Sequence, residues 1–168
     1  MDAQRLFVAF AAALTLLLPR AAGAQDPGPT CPGFADDPRP QIVGTWASDG
    51  LVGTAADEII CGRGDADNIS GGGGDDLILG GDDRDDIDGG PGNDEIRGGA
   101  GTDGVNGEGG NDLVKGGPDR DFMWGGPGLD VLRGGRGDDV LDGGDGEPDM
   151  CFGGPGGDGL APSCEGQG

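Results

Sequence analysis

From Asp49 to Asp139 an acidic side chain returns every nine residues: Asp49, Glu58, Asp67, Asp76, Asp85, Asp94, Asp103, Asp112, Asp121, Asp130 and Asp139. Such a row of oxygen ligands suits a hard divalent cation. Calcium takes six to eight carboxylate or carbonyl oxygens at about 2.3–2.6 Å. Softer metals are poorly served, because the chain has no histidine and its four cysteines form no CxxC pair. The same absence excludes an HExxH zinc protease and a Ser-His-Asp triad. The serines are Ser48, Ser70 and Ser163, none within a GxSxG elbow. Catalysis is therefore not expected. The chain carries 32 acidic against 10 basic residues, a net charge of −22. That balance argues against nucleic acid, whose phosphates need clustered Lys and Arg.

The positions around the acids are as regular as the acids themselves. A frame opened at Gly44 and stepped by nine gives twelve contiguous units ending with the one at Gly143, each starting with glycine. The eighth position reads Leu51, Ile60, Ile69, Ile78, Ile87, Ile96, Val105, Val114, Met123, Leu132, Leu141 and Met150, all aliphatic or Met. The sixth is Asp except at Glu58 and Pro148. Phe152 breaks the register by one residue, and a degenerate unit follows from Gly153 with Asp158 and Leu160.

Each unit divides in two. Its first six residues are turn chemistry, with glycines that permit positive φ and close backbone approach. Its last three place one apolar side chain between two that point the other way, a minimal strand. A three-residue strand buries nothing alone. Stacked in parallel, two turns and two strands per 18-residue coil, the eighth-position side chains meet across a narrow core.

Units such as GGPGNDEIR (89–97), GGPGLDVLR (125–133) and GGRGDDVLD (134–142) match the pattern GGxGxDxUx at every fixed position. On these residues the chain resembles the haemolysin-type calcium-binding repeat (RTX) family over residues 44–151. The resemblance implies an all-β fold: a right-handed parallel β-roll, a β-helix solenoid of nine-residue repeats with two strands per coil. It also implies calcium ions between turns stacked 18 residues apart. Carried onto this sequence, one row is Glu58, Asp76, Asp94, Asp112 and Asp130. The other is Asp49, Asp67, Asp85, Asp103, Asp121 and Asp139.

The metal ligands expected are Asp67, Asp76, Asp85, Asp94, Asp103, Asp112, Asp121, Asp130 and Asp139, which pair into about seven well-formed Ca²⁺ sites. The 49/67 and 58/76 pairs are left out, because the turns at Gly44 and Gly53 open Gly-Thr and lack a fourth-position glycine. Asp65, Asp83 and Asp119 replace that glycine elsewhere, and Arg63 and Glu108 replace the second one. Like charges about 5 Å apart along each row repel without a cation between them. Calcium is thus expected to be a folding ligand, stabilising the native form by mass action.

The ends complete the domain plan. Residues 1–24 hold MDAQR, an apolar run LFVAFAAALTLLLP and Ala22-Gly23-Ala24, which read as a secretory signal peptide cleaved before Gln25. Residues 25–43 read as an N-terminal cap, 44–151 as the roll, and 152–168 as the degenerate repeat and C-terminal cap. With the signal removed, no membrane span is expected, and the protein is expected to be secreted, extracellular and bacterial. Cys61 and Cys151 lie five coils apart, roughly 24 Å at strand spacing, whereas a disulfide needs Cα atoms within about 7 Å. The pairing expected is Cys31–Cys61 and Cys151–Cys164, a staple at each end. Outward positions on one face gather Ile59, Leu77, Leu113 and Val131 beside Arg97, Lys115 and Arg133, a candidate surface for an acidic polymer or protein. An adhesion or matrix module using that face is the alternative to a free-standing calcium-binding roll. Arg63-Gly64-Asp65 and Arg136-Gly137-Asp138 straddle different repeat positions, as a Gly/Asp-rich grammar produces by chance, and the Asn68-Ile69-Ser70 sequon would place Ile69 in a buried strand.

Overall fold

The computed structural model describes residues 31, 33–146 and 148–165. The expected signal peptide lies outside the described residues. Within them the chain is a β-solenoid of about seven turns, built only of strands. Successive nine-residue units alternate between two parallel sheets. The eight-stranded sheet runs from Gln41–Val43 to Cys164–Glu165, and the seven-stranded sheet from Gly50–Val52 to Gly159–Leu160. Register is fixed at 18 residues: Ile60 faces Ile78, Ile78 faces Ile96, and Ile69 faces Ile87.

This register follows from the position of the single apolar residue. A slip of one residue would turn it to solvent. Ile60, Ile69, Ile78, Ile87, Ile96, Val105, Val114, Met123, Leu132 and Leu141 are all buried and form one continuous column between the sheets. The turns are held from coil to coil as well. On one edge the side chains of Asp57, Asp75, Asn93 and Asn111 each accept the backbone N–H 18 residues ahead, ending at Leu129.

Three features depart from the sequence reading. The core position of the last full unit is Cys151, not Met150, which is exposed. The extra residue enters before Asp149 rather than at Phe152, since Asp130 donates to Asp149 across 19 residues instead of 18. Trp46, just beyond the segment read as the N-terminal cap, is exposed. Third, Ile59 and Leu77 are buried, covered by the segment after Cys31 in a second apolar cluster with Cys61, Phe34, Val43 and Leu79. The disulfides join Cys31 to Cys61 and Cys151 to Cys164, with Cα separations of 6.0 and 5.3 Å.

Among the described residues, five that bear a side chain sit at positive φ: Arg63, Asp65, Asp83, Glu108 and Asp119. Aspartate tolerates this region because its short side chain bonds locally, whereas a glutamate gains no such relief. Replacing Glu108 (φ 68°) by Gly is therefore expected to stabilise the roll by about 1 kcal/mol. Gly99→Ala is expected to destabilise it by more than about 1 kcal/mol, because the new Cβ at φ 120° would collide with the Gly81 carbonyl. Urea denaturation in CaCl₂ measures both.

Candidate metal centre: two rows of buried carboxylates

The glycine turns bring the sixth-position carboxylates onto the two edges of the roll and bury them. Asp67, Asp76, Asp85, Asp94, Asp103, Asp112, Asp121, Asp130 and Asp139 are each at most 4 % exposed. The two oxygens of each carboxylate have different surroundings. Oδ1 accepts the backbone N–H of the acid one coil earlier: Asp67 N–H to Asp85 at 2.9 Å, Asp85 to Asp103 at 2.9 Å, Asp103 to Asp121 at 3.0 Å. The other row repeats this through Asp76, Asp94, Asp112 and Asp130. One oxygen of each aspartate is therefore a turn former.

Oδ2 has no protein partner. It is buried and unsatisfied in all nine of these aspartates and in Asp149. A buried charged oxygen left unpaired is far costlier than an exposed one, and here it recurs once per turn. Its surroundings are oxygen as well. A Cβ built on Gly107 would lie 2.5 Å from Asp112 Oδ2 and 2.6 Å from the Gly125 carbonyl oxygen of the next coil. Glycine at the first position thus leaves a small space bounded by a carboxylate oxygen and a carbonyl oxygen, the carboxylate oxygen without a donor. Such a space fits a hard cation. Among the described residues no three His, Cys, Asp or Glu side chains converge as a metal-binding group. Backbone carbonyls must therefore supply much of any ligand set, as calcium permits.

Electrostatics point the same way. Burial, opposed by the backbone N–H bond and reinforced by neighbouring acids, pushes Asp85, Asp112 and Asp121 up to about 7. Burial likewise raises Asp76, Asp94 and Asp130 to about 6. Asp67, Asp103 and Asp139 are raised by the same cause. Without a cation, these side chains favour taking a proton.

Asp149 is the acid that a strict nine-residue frame misses, because that frame lands on Pro148. It is fully buried, accepts the Asp130 N–H at 2.9 Å and carries a free Oδ2. The signal available in the sequence was an aspartate one place off register. Asp158 continues the other row, accepting from Asp139 at 3.1 Å. The outer face is less open than its sequence suggested. Beyond the covered Ile59 and Leu77, Arg97 and Lys115 are both paired with Glu95, and Arg133 lies over the Phe152 ring. Leu113 and Val131 are half-buried.

The RTX calcium-binding nonapeptide repeat profile matches residues 52–87, 79–114 and 115–148. The chain belongs to that family. Comparison with curated proteins returns no match.

The raised carboxyl groups set a pH dependence for the metal-free state. An acid whose pKa rises on folding holds its proton more tightly when folded. Its contribution is full below the unfolded value of about 4 and is lost as pH climbs through the folded values near 6 and 7. In EDTA, far-UV circular dichroism is accordingly expected to show more β structure at pH 5.5 than at pH 8. The reverse order would show that these carboxylates do not oppose folding.

Proposed function

We propose that the protein is a secreted, non-catalytic calcium-binding roll that folds as it takes up several Ca²⁺ ions between stacked turns. The observation that carries this reading is the row of buried Oδ2 atoms that lack any donor, most of them sharing their space with a first-position glycine carbonyl. In this reading Asp67, Asp76, Asp85, Asp94, Asp103, Asp112, Asp121, Asp130 and Asp139 hold the ions together with turn carbonyls. About seven sites come from their pairs, and the Asp130/Asp149 pair extends one row. The bound ion supplies the positive charge that neutralises two stacked carboxylates. The chain's residues do the rest: glycines allow close approach, Oδ1 atoms fix the turns, and the eighth-position residues pack once stacking is permitted.

Secretion rests on the leader-like sequence of residues 1–24 and on two disulfides, which persist in oxidising compartments. The segment around Phe34 acts as the N-terminal cap, and the chain from Phe152 onward closes the other end. Among the described residues no helix is long and apolar enough to cross a membrane.

Titrating residues 25–168 with CaCl₂ is expected to give a cooperative coil-to-β transition by far-UV circular dichroism in the ~0.1–1 mM range of extracellular calcium modules. MgCl₂ should not reproduce it, because Mg²⁺ demands octahedral geometry and keeps its waters. Asp103→Asn is expected to lower the number of bound ions and raise the midpoint. A full β spectrum in EDTA at neutral pH would overturn the reading. Export has its own check: mass spectrometry of the protein recovered outside the cell is expected to find Gln25 at the amino terminus.

A further inference from the structure

The first two turns of the roll are built differently from the rest, and the difference falls on the carboxylates. From Arg63 to Gly154 every second-position residue has positive φ: Arg63, Gly72, Gly81, Gly90, Gly99, Glu108, Gly117, Gly126, Gly135, Gly144 and Gly154. Thr45 and Thr54 occupy that position in the turns at Gly44 and Gly53 and do not. A β-branched residue is a severe outlier in that region. The peptide plane is accordingly turned the other way, and its N–H has a different target. At Gly126 and Gly135 the second-position N–H donates to the first-position carbonyl of the next coil, Gly143 and Gly153, at 3.0 and 2.9 Å. At Thr45 it donates instead to Asp49 Oδ2 at 2.5 Å, and the Thr45 hydroxyl donates to the same oxygen at 3.0 Å. At Thr54 the N–H donates to Glu58 Oε2 at 3.0 Å, and the hydroxyl donates to Oε1.

These are the carboxylate oxygens that stand unpartnered in the later turns. Here each already has its donors. An N–H has no lone pair to offer a cation and presents its positive end to the oxygen, so it takes the place an ion would fill.

We infer that the turns at Gly44 and Gly53 take no calcium, with Thr45 and Thr54 satisfying Asp49 and Glu58 in its stead. The ion rows then begin at Asp67 and Asp76. This inference rests on the reading that the later carboxylates hold calcium. Two other features gather at the same end. The Cys31–Cys61 disulfide lies there, and the second apolar cluster of Ile59, Leu77, Phe34 and Val43 covers the outside of one sheet. The N-terminal coil therefore has cross-links, apolar cover and satisfied acids before any ion arrives. In a solenoid, where each repeat contacts only its neighbours, it offers a ready edge: the strand Ile59–Arg63, against which Leu77–Asp82 pairs.

Native mass spectrometry of the calcium-loaded protein counts the ions directly. Asp49→Asn combined with Glu58→Gln is expected to keep the wild-type count, while Asp103→Asn lowers it by at least one. Thr45→Gly combined with Ala47→Gly restores the glycine pattern of the later turns and is expected to add one ion. Loss of an ion from the Asp49→Asn, Glu58→Gln protein would overturn the inference. So would an unchanged count in a Thr45→Gly, Ala47→Gly protein that still shows its calcium-dependent β spectrum. If that variant fails to fold, the count of the Asp49→Asn, Glu58→Gln protein decides alone. A wild-type protein with no bound calcium would instead sink the function proposed above.

Discussion

The structure depends on one repeated conflict: a buried carboxylate oxygen facing a carbonyl oxygen. The roll has little else to hold it together. Most nine-residue units bury one aliphatic side chain in the core, which contributes about 1.5–3 kcal/mol. Ten buried carboxyl oxygens without a donor weigh against that gain. In the function proposed above, a cation in each such space would offset that cost. It would do so only where two coils are stacked, which is why the proposed function couples folding to binding.

The same conflict explains why glycine is so abundant. In the proposed function calcium would draw oxygens from two successive turns, and those turns nearly touch. At Gly107 a single Cβ would fill the space between Asp112 Oδ2 and the Gly125 carbonyl. Side chains are admitted only where they point away from this space or can bear positive φ, as Asp65, Asp83 and Asp119 do. The composition that resembles a disordered chain is thus what a tightly stacked one requires.

Most of the architecture was legible because sequence period and structural period are commensurate. Two units of nine make one coil, so the sixth and eighth positions alone give the rows, the core and the coil-to-coil register. The departures occur where the repeat meets something outside itself. Met150 was assigned to the core because one extra residue upstream of Asp149 does not announce its side of the turn. Ile59 and Leu77 read as exposed because the period says which way a side chain points, not that the chain after Cys31 returns to cover it. The split between the oxygens of each aspartate was likewise invisible. It arises from a backbone N–H one coil away, and no one-dimensional pattern distinguishes Oδ1 from Oδ2.

The 18-residue register makes the molecule a ruler with two kinds of graduation. Because hydrogen bonds, core contacts and carboxylate rows all join residue i to residue i+18, a whole coil can be inserted or lost without disturbing either end. Each such change alters the length by about 4.8 Å, one strand spacing. Half a coil is not neutral. Removing nine residues would exchange the two sheets for everything downstream, moving the paired strands of Cys151 and Cys164 together onto the opposite sheet. The gene therefore repeats in nines, while the protein can grow or shrink only in eighteens.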